Sequence, residues 1–427
     1  MIEIFKKLKK YNYWNKEKIA VGFSRKTYTD KIAKFTGNNL IKVILGQRRV
    51  GKSYILRQII QSLIESGINR KNIFYLNKEL VDFDDIGNYK DLHKLIEFYK
   101  KELKVRGKIY IFLDEVQEID GWEKITNSLS QDHKQIYELF ISGSNSKMLS
   151  SDLATYLSGR YVEFLIFPFL YEEYIRFKKL PRGKESYLEF LKTGGLPELF
   201  NLPSLEMKEH YLSALINTVL LKDVIGRYKV KDVRLLEDLF KFLVDNIGNI
   251  FSVNAIVQFL DSKRIKTNNE TIGNYLSYIL ESYIFHEVER FDIKGKNILS
   301  NNKKYYLNDL SFRNYLSSSF DAGLGKHLEN AIYIYFRAKG YKIFVGNLGK
   351  KEVDFIIEKG QRKKYIQVAY SVSNKKVANR EFGNLQEIGD SYTKMVISLD
   401  DTSFGFQNGI EHICAWDLNK KNKNISF

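Results

Sequence analysis

Over the first two hundred residues, short unbroken apolar runs alternate with stretches of helical spacing. Leu40–Leu45, Asn72–Leu76, Ile109–Leu113, Glu138–Ile141 and Tyr161–Ile166 read as buried strands, and Ser53–Ile64 carries its apolar residues at helical intervals. Strands without polar alternation, separated by helices, predict an α/β module around a parallel sheet. The pattern then changes. Leu205–Lys222 is helical and reads as a link between modules. Leu235–Ile247, Val253–Leu260 and Asn269–Glu281 follow as three more helices, and Ile284–Phe291 and Lys304–Leu307 as strands joined by the basic turn Lys294-Gly295-Lys296. Helices followed by a basic hairpin predict a winged helix, with Asn268, Asn269 and Thr271 capping its third helix and Asn274 and Tyr278 on the exposed face. The last hundred residues read as a helix, Gly325–Lys339, and then several strands.

Between the first strand and its helix stands Gly46-Gln47-Arg48-Arg49-Val50-Gly51-Lys52-Ser53, with Tyr54 opening the helix. This spacing in a strand-to-helix setting predicts a phosphate-binding loop for ATP. Backbone N–H groups would wrap the phosphates, Lys52 would reach the terminal ones, and the Ser53 hydroxyl would ligate Mg2+.

The strand Ile109–Leu113 ends in Asp114-Glu115, as expected of carboxylates facing such a loop across the sheet. Asp114 is predicted to complete the Mg2+ shell, and Glu115 to orient and deprotonate the attacking water. Beyond the strand Glu138–Ile141, Ser144 or Asn145 is placed to sense the terminal phosphate through that water. Asn77, at the end of another strand, is placed to restrain Glu115. Arg160 is the first candidate for a cation that neutralises charge on the transferred phosphoryl group, and Arg227 is the second.

These residues, together with Leu113-Asp114-Glu115-Val116-Gln117, Ser142-Gly143-Ser144-Asn145-Ser146, Leu157-Ser158-Gly159-Arg160 and Gly194-Gly195-Leu196-Pro197-Glu198, resemble the prokaryotic AAA-type ATPases that carry a C-terminal domain of unknown function. The resemblance extends over nearly the whole chain. It implies an AAA-like sheet, a winged-helix segment and a C-terminal restriction-endonuclease-like fold. With the residue pattern, this divides the α/β chain into a basic-aromatic N-terminal extension over 1–36, a P-loop AAA-like ATPase domain over 37–200, a helical linker and winged-helix domain over 201–316, and a restriction-endonuclease-like α/β domain over 317–427. In that last fold an acid on the helix and one at the start of a strand bind metal, and an acid-x-Lys pair on the next strand completes the site. Glu329 and Asp354 match the first two positions, but the pair reads Gln367-Val368-Ala369. An amide and a methyl group supply neither carboxylate nor cation, so the expectation is a degenerate, non-cleaving domain unless Lys363, Lys364 or Lys375 substitutes.

Composition changes the picture in three places. The chain has 427 residues, 44% of them hydrophobic, enough for several cores. No apolar run approaches membrane-spanning length, and the start lacks a signal-peptide pattern, which points to the cytoplasm. A single cysteine, Cys414, excludes an internal disulfide framework or a cysteine-based zinc site, and the six histidines lack metal-ligand spacing. The net charge of +17 favours a polyanionic partner, with DNA first. A protein partner is the alternative, and a homo-oligomer follows if the arginine acts on a neighbour's nucleotide. Lys6–Lys18, with Tyr11, Tyr13 and Trp14, fits either a nucleic-acid patch or a helix docked on its own ATPase module. Lys420, Lys421 and Lys423 read as a solvated tail. Three functions remain open: a DNA-acting ATPase, a nucleotide-timed switch acting on a protein, and an ATP-dependent nuclease.

Overall fold

The computed structural model describes residues 1–15, 19–132, 134–145, 157, 159–316 and 323–420, with the side chains at 300 and 301 excepted. Ser146, Ser158, Lys421 and Lys423, and the end of the Lys6–Lys18 stretch, lie outside the described residues. The chain divides into two compact units, Met1–Ile166 and Phe167–Phe427.

The first unit is built on a five-stranded sheet of order β2-β3-β4-β1-β5, where β1 is Ile41–Leu45, β2 Ile73–Asn77, β3 Ile109–Asp114, β4 Tyr137–Gly143 and β5 Tyr161–Leu165. Every pairing is parallel. β1, β3 and β4 are buried at every position, which is why they read as apolar runs without alternation. The exceptions in those runs pair with each other. Lys42 Nζ lies 2.8 Å from Glu138 Oε1, and Lys108 Nζ lies 2.9 Å from the other carboxylate oxygen. The Gly37 N–H also donates to Glu138. A charge can stay this deep because each is partnered.

β2 is an edge strand, and the N-terminal segment closes it. The helix Ile2–Tyr11 buries Phe5 and Leu8, and Asn12 then uses its amide as a strand would. Asn12 Nδ2 donates to the Tyr75 carbonyl at 2.9 Å, and Asn12 Oδ1 accepts the Tyr75 N–H at 2.8 Å. Trp14 Nε1 donates to the Ile73 carbonyl and stacks on Tyr99. The aromatic residues of this segment therefore pack on its own unit, and edge hydrogen-bonding groups that invite pairing are covered.

In the second unit, helices precede a nine-stranded sheet. Its order is β13-β14-β12-β11-β10-β9-β7-β8-β6. The strands are β6 (Ile250–Phe251), β7 (Phe285–Asp292), β8 (Asn297–Leu307), β9 (Lys342–Leu348), β10 (Lys351–Lys359), β11 (Arg362–Ala369), β12 (Thr393–Ser398), β13 (Gly405–Gln407) and β14 (Ile410–Cys414). Helices Val233–Asp245, Val253–Ser262 and Asn269–Glu281 lead into the β7–β8 hairpin, as the spacing predicts. β8 is longer than its apolar end suggests, because pairing with β7 recruits the polar run from Asn297. β7 also pairs in parallel with β9, Arg290 opposite Val345, so one sheet runs across residue 316. Helix Leu324–Ala338 carries Glu329, β10 carries Asp354 and β11 carries Gln367.

The Gly194-Gly195 pair is a close backbone crossing. Gly194 has φ +81°, and a Cβ there would come within 2.2 Å of Asp309 Oδ1. At Gly195 a Cβ would meet the Phe169 carbonyl oxygen at 2.2 Å, while the Gly195 N–H donates to Asp309 Oδ2 at 2.7 Å. Only glycine fits this approach.

Candidate active site

β1 delivers the loop at the strand-end edge of the sheet, where the chain leaves for β2 and skips its neighbours, a usual position for ligand sites in open α/β sheets. Gly46 turns at φ +144°, and a Cβ there would lie 2.4 Å from the Ile166 carbonyl oxygen. Arg49 and Gly51 have φ of 68° and 97°, so the loop curls back before the helix Lys52–Glu65 begins. That helix is held by Ile55, Leu56, Ile59, Ile60 and Leu63 on one buried stripe. Gln47 and Val50 are buried, Arg49 and Tyr54 are exposed, and Arg48 is ion-paired with Glu79.

Lys52 is buried, and its ammonium donates to the carbonyls of Gly46 and Gln47 at 3.0 and 3.1 Å. It also lies 3.3 Å from Glu115 Oε1. Gln117 Nε2 donates to the other Glu115 oxygen at 2.6 Å and reaches Ser144 Oγ at 3.4 Å. Burial works to raise the Glu115 carboxyl, but the Lys52 ammonium and the Gln117 amide outweigh it and hold the group at about 2. Glu115 sits in left-handed backbone, φ 54°, which turns its side chain out of the strand register.

Asp114 is buried and accepts hydrogen bonds from Ser142 and, at 2.9 Å, from the Tyr75 hydroxyl. Burial, then the adjacent Glu115 charge, raises its carboxyl, while Ser142, Ser53 and Tyr75 oppose the rise. The Ser53 hydroxyl therefore faces the Asp114 carboxyl at the foot of the loop. Ser144 and Asn145 are buried at the end of β4, beside this cluster.

One expectation needs correcting. Asn77 accepts the Glu79 N–H at 2.9 Å, and Gln117 rather than Asn77 is the residue on Glu115. Arg160 precedes β5 and is exposed; its carbonyl receives the Ile41 N–H at the start of β1. In a parallel sheet this is the edge opposite the loop, so Arg160 is not brought to the loop of its own chain. Arg227 belongs to the second unit.

Sequence reasoning also passed over Arg25. It is buried, it donates to the Val50 carbonyl inside the loop at 3.0 Å, and its backbone N–H donates to Gln58. Gln58 in turn donates to the carbonyls of Val21 and Phe23 at 2.8 Å each. This segment precedes β1 and carries no motif. Gln117 and Ser142 do lie inside the motifs that begin at Leu113 and at Ser142, and the sequence marks them in that way.

In the second unit the expected acids converge, with a residue no motif marked. Lys304 Nζ lies 2.8 Å from Glu329 Oε1 and 2.6 Å from Glu352 Oε1. The Tyr306 hydroxyl donates to Glu329 Oε1 at 2.6 Å. Asp354 accepts the Val368 N–H, and its own N–H donates to Gln367 Oε1, both at 2.7 Å. Gln367 Nε2 donates to Glu381. Burial, then the Glu329 charge, pushes the Asp354 carboxyl well above the carboxylate range. Lys363 pairs with Glu358, and the Lys364 ammonium faces Glu411, so neither substitutes at this cleft. Among the described residues no group of three or more His, Cys, Asp or Glu is arranged to hold a metal ion.

The loop, the strand-end carboxylates and the sheet order define a P-loop ATPase of the AAA class, and a family model described as "AAA domain" matches residues 38–175. A second, described as "Domain of unknown function (DUF8612)", matches residues 184–324. The chain belongs to the prokaryotic family of AAA-type ATPases that join these two parts. It is 35% identical over 379 residues to an uncharacterized protein of Haemophilus influenzae, covering 88% of this chain and 93% of that one. It is 31% identical over 351 residues to an uncharacterized protein of Methanocaldococcus jannaschii, covering 78% and 76%. Among solved structures it is similar to the Walker-type ATPase of Pyrococcus abyssi, with TM-score 0.46, 15% identity, and coverage of 69% and 96%.

Proposed function

We propose that the protein binds and hydrolyses ATP with Mg2+ at the Gly46–Ser53 loop, and uses nucleotide state to reposition its downstream modules on DNA. The observation that carries the proposal is Glu115, which is held between Lys52 and Gln117 with Ser144 beyond. The residues present fit the metal and the nucleotide. Ser53 and Asp114 face each other where one hydrated cation could take both, and the Lys52 ammonium rests on loop carbonyls that it can exchange for phosphate oxygens. Mg2+, when bound, neutralises charge on the terminal phosphates.

Glu115 is a poor base while Lys52 holds it ionised. Drawing Lys52 onto phosphate releases the carboxylate, which can then orient a water and accept its proton. Ser144 or Asn145 would report that water. Arg160, at the opposite edge of the sheet, would act on the nucleotide of a second copy, which makes a homo-oligomer part of this reading.

In the proposed division, 201–316 forms a linker and winged helix and 317–427 a restriction-endonuclease-like part, both served by the shared sheet. DNA contact would fall to the hairpin lysines Lys294, Lys296 and Lys303 rather than to the helix Asn269–Glu281, which contains no lysine or arginine. That bare helix favours a second reading, a nucleotide-timed switch acting on a protein partner. The reducing cytoplasm suits either.

ATP turnover with and without duplex DNA, run across protein concentration, tests all three parts. Turnover that rises with DNA and vanishes in Lys52→Ala and Glu115→Gln is expected. Robust turnover unmoved by any DNA would leave the protein-partner reading, and absence of turnover under every condition would end the ATPase proposal.

A further inference from the structure

We infer that the nuclease-like cleft is closed to divalent cations because Lys304 delivers its own ammonium to the acids that would ligate one. This inference is independent of the ATPase reading.

The donor set shows why. A metal held by Glu329 and Asp354 would need their oxygens at about 2.0–2.6 Å. Glu329 Oε1 already lies 2.8 Å from Lys304 Nζ, and Glu352 Oε1 holds the same ammonium from another side at 2.6 Å. Glu329 Oε1 is further committed to the Tyr306 hydroxyl. A dication placed among them would stand against a buried like charge, and repulsion at that range in a poorly solvated site outweighs shared access to two carboxylates.

The neighbouring positions are partly committed as well. One Asp354 oxygen takes the Val368 N–H. Gln367 spends its carbonyl on the Asp354 N–H and its amide on Glu381, so it cannot turn toward a cation without leaving buried groups unpaired. Lys304 cannot readily leave, since β8 is paired on both sides there, Val288 opposite it in β7 and Ile250 opposite it in β6. The ammonium bridges two carboxylates instead of facing water, so it is not placed as the water-activating lysine of a cleaving site. Its effect is to tie the hairpin strand to helix Leu324–Ala338 and to β10, an ion-pair stitch where the resemblance implies a metal.

The test is Mn2+ binding to the full chain without nucleotide, followed by calorimetry and by electron paramagnetic resonance. The wild type and Asp354→Asn should bind Mn2+ alike. Lys304→Met should gain a site at least about tenfold tighter than any in the wild type, lost again when Asp354→Asn is added. A wild-type Mn2+ site removed by Asp354→Asn would overturn the inference, and so would a folded Lys304→Met chain that gains none. If Lys304→Met does not fold, Lys304→Gln carries the same comparison, and the wild-type arm stands without either.

Discussion

Lys52 and Glu115 neutralise one another across 3.3 Å, so the proposed cation for phosphate and the proposed base for water are held in a single pair. Nucleotide has to compete for Lys52, and separation of the pair changes both groups at once. Lys52→Ala should lose nucleotide affinity, read by titration with a fluorescent ATP analogue. Glu115→Gln should keep that affinity while hydrolysis falls by roughly 100-fold or more, the ordinary contribution of a positioned base. A Glu115→Gln chain that hydrolyses ATP normally would remove Glu115 from the chemistry.

Gln117 is the neutral side chain that restrains Glu115. Its hydrogen bond to the carboxylate favours the ionised form and lowers its basicity. Gln117→Leu should raise basal kcat about three- to tenfold, as expected for loss of one charge-assisted hydrogen bond, with KM within about twofold. Asn77→Ala should leave kcat unchanged. Steady-state kinetics decides between them, and an effect confined to KM would assign Gln117 to binding.

Glu138 is fully buried with two lysines on its carboxylate. Glu138→Gln leaves the Lys42 ammonium uncompensated and should destabilise the chain by roughly 3–5 kcal/mol. Adding Lys42→Met should recover much of the loss, since a matched apolar pair often equals a buried ion pair. Denaturant midpoints of the single and double variants give the coupling.

Asp309 is buried against the Gly194-Gly195 crossing, and burial raises its carboxyl to about 6, although backbone N–H donors at Ser311, Gly195 and Leu196 pull the other way. The folded state therefore holds a proton that the unfolded chain releases near the ordinary value of 3.8. The stabilisation is complete below that value and fades as pH rises to about 6, by about 3 kcal/mol at roughly 1.4 kcal/mol per pH unit. Asp309→Asn should flatten this part of the profile, measured as the melting temperature between pH 4 and 7. An identical slope in both chains would place the titration elsewhere.

The loop and its facing carboxylates were legible because their chemistry is local: a strand, a tight turn and a helix start announce themselves within a dozen residues. For Arg160 the sequence leaves open whose nucleotide it meets, and only the sheet decides that, since a residue before a strand in a parallel sheet lies at the edge away from a loop that follows one. Lys304 was not legible. Its partners Glu329 and Glu352 lie on a later helix and a later strand, and only the pairing of β8 between β6 and β7 brings them together. The polar run before Lys304 also lacks the alternation by which a strand is read, so the hairpin looked shorter than it is.

Asn12 and Trp14 occupy backbone positions on β2 that another strand would otherwise seek. The opening residues thus cover an edge to which a second copy's strand could add. A chain beginning after Asn15 should retain its phosphate loop yet tend to self-associate edge to edge. In light scattering that truncation would look like an oligomerisation mutant, its contacts made through the uncovered edge of β2.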